Sequence, residues 1–251
     1  TVSAAGEVTQ AEIVLALIQS KAKLSYPEVE GVLQEKAQHA FTDELWHLQN
    51  CFRALRQRRE ACELVIEHRP EHRWIMNDEK QISSIEQVEK KSSQLLVEEC
   101  MVAANRAIAN ALKEAQRPGP FVTHAGIRRD RAEEAQEFLK RYQPDLEGLE
   151  FSTLEGFRTL ITALNASSDE RPLRSMVNRL MARASLSIKP SPHMGMALSL
   201  YTNGTSPLRK ALDYCVHLQL KAMLGDTSVE PASATVFDLL NQASAKNRQA
   251  V

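Results

Sequence analysis

The chain has 251 residues, of which 43% are apolar and 25% charged, and its formal net charge is −1. That is enough for one large domain or two small ones with a sizeable core. The charge balance argues against capture of nucleic acid by an overall positive field, though not against a local basic groove. No signal peptide is visible, and the longest apolar run, residues 13–18, is too short to span a bilayer. Cys51, Cys62, Cys100 and Cys215 lie far apart without a Cys-x-x-Cys pair. They read as reduced, mostly buried thiols of a cytoplasmic protein.

The first six residues read like a turn entered from a preceding strand, as if the chain begins within a domain. Residues 11–18 are apolar and β-branched, which predicts a buried strand. Ser25 and Glu28 have capping-box spacing and predict a helix from Tyr26 to about Lys36. Leu45, Leu48, Phe52 and Leu55 recur at helical spacing and predict a long helix over 43–62. Short strands are expected at 63–67, 73–76 and 81–88, divided by turn signals at Arg69-Pro70 and Asn77-Asp78. A second long helix is expected over 92–115, stopping before Pro118-Gly119-Pro120, and a strand at 121–124 follows. Helices are then expected over 130–142, after a capping box of Ser152 and Glu155, and from Pro172 onward. Residues 184–188 and 195–201 look extended. Thr205 or Ser206 caps a helix with Pro207 at its first position, ending near Gly225, and a last helix covers 235–246. The whole is a helix-rich α+β domain with a small mixed sheet and no internal boundary.

Several residues carry both an ordinary and a functional reading. Residues 205–209, Thr-Ser-Pro-Leu-Arg, place N–H groups, hydroxyls and the Arg209 guanidinium at a helix start. That suits a phosphate, but it also describes a plain capped helix with a surface arginine. Glu98 and Asn105 are seven apart and share a helix face; an acidic pair such as Glu98-Glu99 is ordinarily solvated. Tyr26 alone reads as a half-buried aromatic at a helix start. Pro70 between His68 and His72 argues against a helical two-histidine metal site. His193, between Pro192 and Gly195, reads as packing or hydrogen bonding at a turn. Arg56, Arg58 and Arg59 form a basic cluster that is a solvated face or the border of a nucleic-acid path.

Four segments in order resemble the ribonuclease II/ribonuclease R (RNB-domain) family. They are Ile18-Gln19-Ser20-Lys21-Ala22-Lys23-Leu24-Ser25-Tyr26, Arg69-Pro70-Glu71-His72-Arg73-Trp74, the stretch from Leu96 to Asn105, and Pro192-His193-Met194-Gly195 followed by Tyr201 and Thr205-Ser206-Pro207-Leu208-Arg209-Lys210. The match runs from residue 10 to about 225, and its last segment is the most specific. The resemblance implies the carboxy-terminal part of a catalytic domain that hydrolyses single-stranded RNA from its 3′ end to nucleoside 5′-monophosphates, with Mg²⁺. It assigns Arg209 to the scissile-end phosphate and transition state, and Glu98 and Tyr26 to the terminal ribose. Asn105, Thr205 and Ser206 are placed with them as RNA-binding residues. A carboxylate is a good acceptor for a 2′-OH, the group that separates RNA from DNA.

The chain also departs from that pattern. The family's metal-holding aspartates lie on the amino-terminal side of the matched part, and nothing before residue 10 supplies them. The base-clamping aromatic falls near Ile66, which has no π-face to stack. The catalytic glutamate that the resemblance implies in the last helix is either replaced or lies just past residue 251, since residues 241–251 contain no acid. Cold-shock and S1 domains are not expected here. Two functions follow: part of an exoribonuclease completed by further sequence or a second chain, inactive alone, or a non-catalytic RNB-like module that binds RNA or protein.

Overall fold

The computed structural model describes residues 1–64, 71–167 and 171–247. Ile66, His68 and the Arg69-Pro70 signal lie outside the described residues. Helix α1 (Tyr26–Leu33) begins at a true capping box: Ser25 Oγ accepts from Glu28 N–H, and the Glu28 carboxylate accepts from Ser25 N–H at 2.6 Å. It ends at Leu33, three residues sooner than the sequence suggests, with Gln34 as its C-cap. Helix α2 (Thr42–Cys62) and helix α3 (Ser92–Glu114) are the long amphipathic pair. Between them, β1 (Glu71–Met76) and β2 (Ile82–Val88) form an antiparallel hairpin. Its turn is set by Asn77, whose side-chain oxygen accepts from Glu79 N–H and Gln81 N–H.

After α3 come β3 (Phe121–Thr123), α4 (Ala132–Tyr142), α5 (Leu154–Ala166), α6 (Leu173–Asn178), β4 (Ser185–Ser187), α7 (Ala211–Met223) and α8 (Ala234–Asn247). β3 pairs antiparallel with β4. The molecule is therefore α+β, but its described strands make two separate antiparallel pairs instead of one mixed sheet. The buried apolar side chains of the described residues lie in several clusters, each joining neighbouring elements. Phe157, Leu160, Leu139 and Val177 bury one face each of α4, α5 and α6, while Leu112, Phe121 and Val216 join α3, β3 and α7. Val32, Leu33, Leu45 and Leu96 seal α1, α2 and α3 together.

Further expectations change. Residues 11–18 form no strand; Leu17 is fully exposed and Ile18 nearly so, because none of the four described strands pairs with this segment. Helix α5 is capped by Thr153, whose hydroxyl accepts from Gly156 N–H, and not by Ser152. Residues 194–196 form a 3₁₀ turn where extended chain was expected. Helix α7 starts at Ala211, not at Pro207. Of the four thiols only Cys215 is buried, and Cys62 is exposed.

Candidate RNA-binding site

The site is built on one stripe of α3. Gln94, Glu98, Met101 and Asn105 follow one another at steps of three and four, so they stack along a single face. The α3 start is fixed by α1: the Glu30 carboxylate accepts from Ser93 N–H at 3.0 Å, a charge placed where the helix dipole favours it. Burial works to raise the Glu30 carboxyl, but the Ser93 N–H and the Gln34 amide outweigh it and hold it below the usual range. The same contact brings Tyr26, in the first turn of α1, beside the stripe.

The opposite wall comes from the segment before α7. Tyr201, Asn203, Thr205 and Lys210 face Tyr26, Lys90, Glu98 and Asn105 across a cavity of about 400 Å³. Its charged lining residues are Lys90, Lys210 and Glu98, a net of +1 that favours an anion. Lys90 Nζ stands 3.0 Å from a Glu98 carboxylate oxygen, so the one acid in the wall is partly neutralised. Asn105 is buried and already engaged: its amide donates to Tyr201 Oη at 2.9 Å, and its oxygen accepts from Gly204 N–H at 2.9 Å. Burial pushes the Tyr201 phenol up, against the Asn105 bond, so Tyr201 stays a neutral hydroxyl.

Tyr26, Glu98, Asn105 and Thr205 thus share one cavity. Ser206 and Arg209 do not line it. The Ser206 N–H donates to the Asp213 carboxylate at 2.8 Å, and Arg209 N–H and Lys210 N–H both turn back to Ser206 O. This turn replaces the expected helix start, so the row of free N–H groups anticipated for a phosphate is not formed there. Arg209 is exposed on that turn and pairs with no carboxylate among the described residues. Lys210, Lys90 and Asn203 were not singled out by sequence. Gln94 and Met101 were within reach, since they stand at helical steps from Glu98.

The basic cluster on α2 is committed elsewhere. Arg59 is buried and both oxygens of Glu99, whose side chain is fully buried, accept from it at 2.7 Å; Arg56 also reaches Glu99 at 3.1 Å. Arg58 pairs with Glu7 at 3.3 Å. Adjacent Glu98 and Glu99 therefore point apart, one into the cavity and one between the helices. His193 packs against His124, ring centroids 5.5 Å apart, and edge-on to Tyr201 at 5.9 Å. Among the described residues no group of three or more His, Cys, Asp or Glu could hold a metal ion. The described residues therefore do not fit a Mg²⁺ site. Among the described residues no helix is long and apolar enough to cross a membrane.

The profile of the RNB domain family matches residues 1–226. Exoribonuclease 2 of Erwinia tasmaniensis is 32% identical over 225 residues, covering 86% of this chain and 35% of that protein. The chain thus spans about a third of the length of the curated relatives it matches. Mycoplasma genitalium RNase R, solved in complex with ribose-methylated single-stranded RNA, superposes with a TM-score of 0.66 at 17% identity, over 86% of this chain and 34% of that one. Yeast Ssd1, described as a pseudonuclease, superposes with a TM-score of 0.57 at 18% identity, over 88% of this chain and 27% of that one. At these identities the two structures speak for the fold.

Proposed function

The chain belongs to the RNB domain family, and we propose that it is the part of a 3′→5′ exoribonuclease that holds the 3′-terminal nucleotide of single-stranded RNA. The observation that carries this reading is the shared cavity of Tyr26, Glu98, Thr205 and Lys210. Glu98 would accept from the terminal ribose 2′-OH, the hydroxyl that DNA lacks. Tyr26, half exposed at the cavity mouth, offers a ring and a hydroxyl to the same sugar. Lys210 and Lys90 supply the positive charge for the phosphate, and Asn203 and Thr205 offer polar side chains to the sugar beside it. Arg209, on the turn beside Lys210, has a long side chain with no carboxylate partner among the described residues, and it would reach the scissile-end phosphate once RNA is bound.

Hydrolysis to nucleoside 5′-monophosphates needs charge stabilisation that these residues do not provide alone. The Mg²⁺ ligands and the rest of the domain are proposed to come from further sequence or from a second chain carrying the rest of the RNB domain. A cytoplasmic location follows from the same reading. A second reading, a non-catalytic RNB-like module, is favoured by Ile66 near the place of a stacking aromatic.

The test uses 5′-labelled single-stranded RNA with Mg²⁺. This chain alone is expected to bind without shortening the strand; processive degradation by the purified chain would contradict the division of labour. In the protein that contains the complete domain, Arg209→Ala is expected to reduce cleavage far more than binding. Equal loss of both would remove the transition-state role. An intact domain that binds RNA and never cleaves it would favour the second reading.

A further inference from the structure

Gly204, between two cavity-lining residues, is held through both of its backbone polar groups. Gly204 N–H donates to Asn105 Oδ1 on α3, and Gly204 O lies 2.8 Å from His217 Nε2 on α7. A carbonyl oxygen can only accept, so His217 Nε2 carries the hydrogen. Gly204 is buried between the same helices, so closely that a Cβ there would stand 2.9 Å from Ile108 Cδ1 and 3.3 Å from Val216 Cγ1. The residues on either side, Asn203 and Thr205, both line the cavity. Neither side chain has a hydrogen-bond partner among the described residues, so each is free for a ligand. His217 itself does not line the cavity.

We propose that His217 is a positioning residue: by holding the Gly204 carbonyl it sets Asn203 and Thr205 where they select a ribose-bearing 3′ end. This rests on the cavity being the RNA 3′-end site. Without the imidazole N–H, the Gly204 carbonyl loses its partner and the 203–205 segment is pinned at one end only. The turn at 206–209, which carries Arg209, hangs from the same segment.

The test compares wild type, His217→Ala, His217→Phe and His217→Gln for binding to a single-stranded oligoribonucleotide and its all-deoxy counterpart. Thermal unfolding is followed on the same preparations. His217→Ala is expected to weaken RNA binding about five- to ten-fold while DNA binding changes less than about two-fold. Should that variant not fold, His217→Phe keeps the ring and removes the donor. His217→Gln restores a donor and is expected to recover much of the RNA preference, which a purely structural role would not require. RNA preference unchanged in folded His217→Ala or His217→Phe, or a glutamine variant no better than alanine, would overturn the role of His217 alone. Wild-type protein with no RNA preference would overturn the cavity reading and the selectivity role together.

Discussion

Glu98 and Glu99 occupy neighbouring positions with opposite surroundings, and the difference follows from the roughly 100° that one residue turns on a helix. The sequence places Glu98 and Asn105 on a common face, and resemblance gives that face its meaning. What spacing could not show is that Asn105 has spent its amide on Tyr201 and Gly204, which makes it a brace for the wall more than a hand for the ligand. Nor could it show that Lys210 turns into the cavity while Arg209 stays outside, because that depends on Asp213 capturing the Ser206 N–H seven residues away. Lys210→Ala is expected to weaken single-stranded RNA binding about evenly across sequences. It should also reduce the slope of log affinity against log salt by about 0.7, the share of one phosphate contact. A salt titration of both proteins checks this; an unchanged slope would remove Lys210 from the phosphate.

Helices α2 and α3 are legible from their apolar spacing, but the ion pair that locks them is not, since Arg56, Arg58 and Arg59 read equally well as a solvated face. Burial decides it: Arg59 and Glu99 are both withdrawn from water and meet through two short bonds. Removing Glu99 strips buried Arg59 of its two short bonds and leaves it the Glu63 carboxylate at 3.6 Å, so Glu99→Ala is expected to cost about 3 kcal/mol in denaturant unfolding. The strand prediction at 11–18 failed for the opposite reason. Strand preference expresses packing on a sheet, and among the described strands no neighbour is there to receive it.

The link between β3 and the 3₁₀ turn gives a pH dependence. Burial, then the neighbouring His124, pushes His193 down from 6.5 to about 4, and burial lowers His124 as well. A histidine depressed in the folded state contributes stability that is complete above 6.5 and is lost as pH falls towards 4. Each pH unit in that window removes up to about 1.4 kcal/mol per proton taken up. Urea unfolding across the window is expected to show this fall, flattened in His193→Phe; parallel curves would exclude His193 as its source.

At the scale of the whole molecule, the α+β class and most helix positions are legible because capping residues, helical spacing and proline signals agree with one another. The pairing of the strands is not, since it joins β3 to β4 across some sixty residues that local pattern does not connect. The cavity is likewise a product of the assembled fold: α1, α3 and the segment before α7 each bring part of it, and no one segment implies the enclosure. Its role is tested most directly by the affinity of this chain for a single-stranded oligoribonucleotide, against the same oligomer with one 2′-deoxyribose at its 3′ end, in wild type and Glu98→Ala. Expected is tighter binding of the all-ribose strand by wild type, by about five- to ten-fold for one lost hydrogen bond to a charged group, and a clearly narrowed difference in Glu98→Ala. Equal affinity of wild type for the two strands would contradict it.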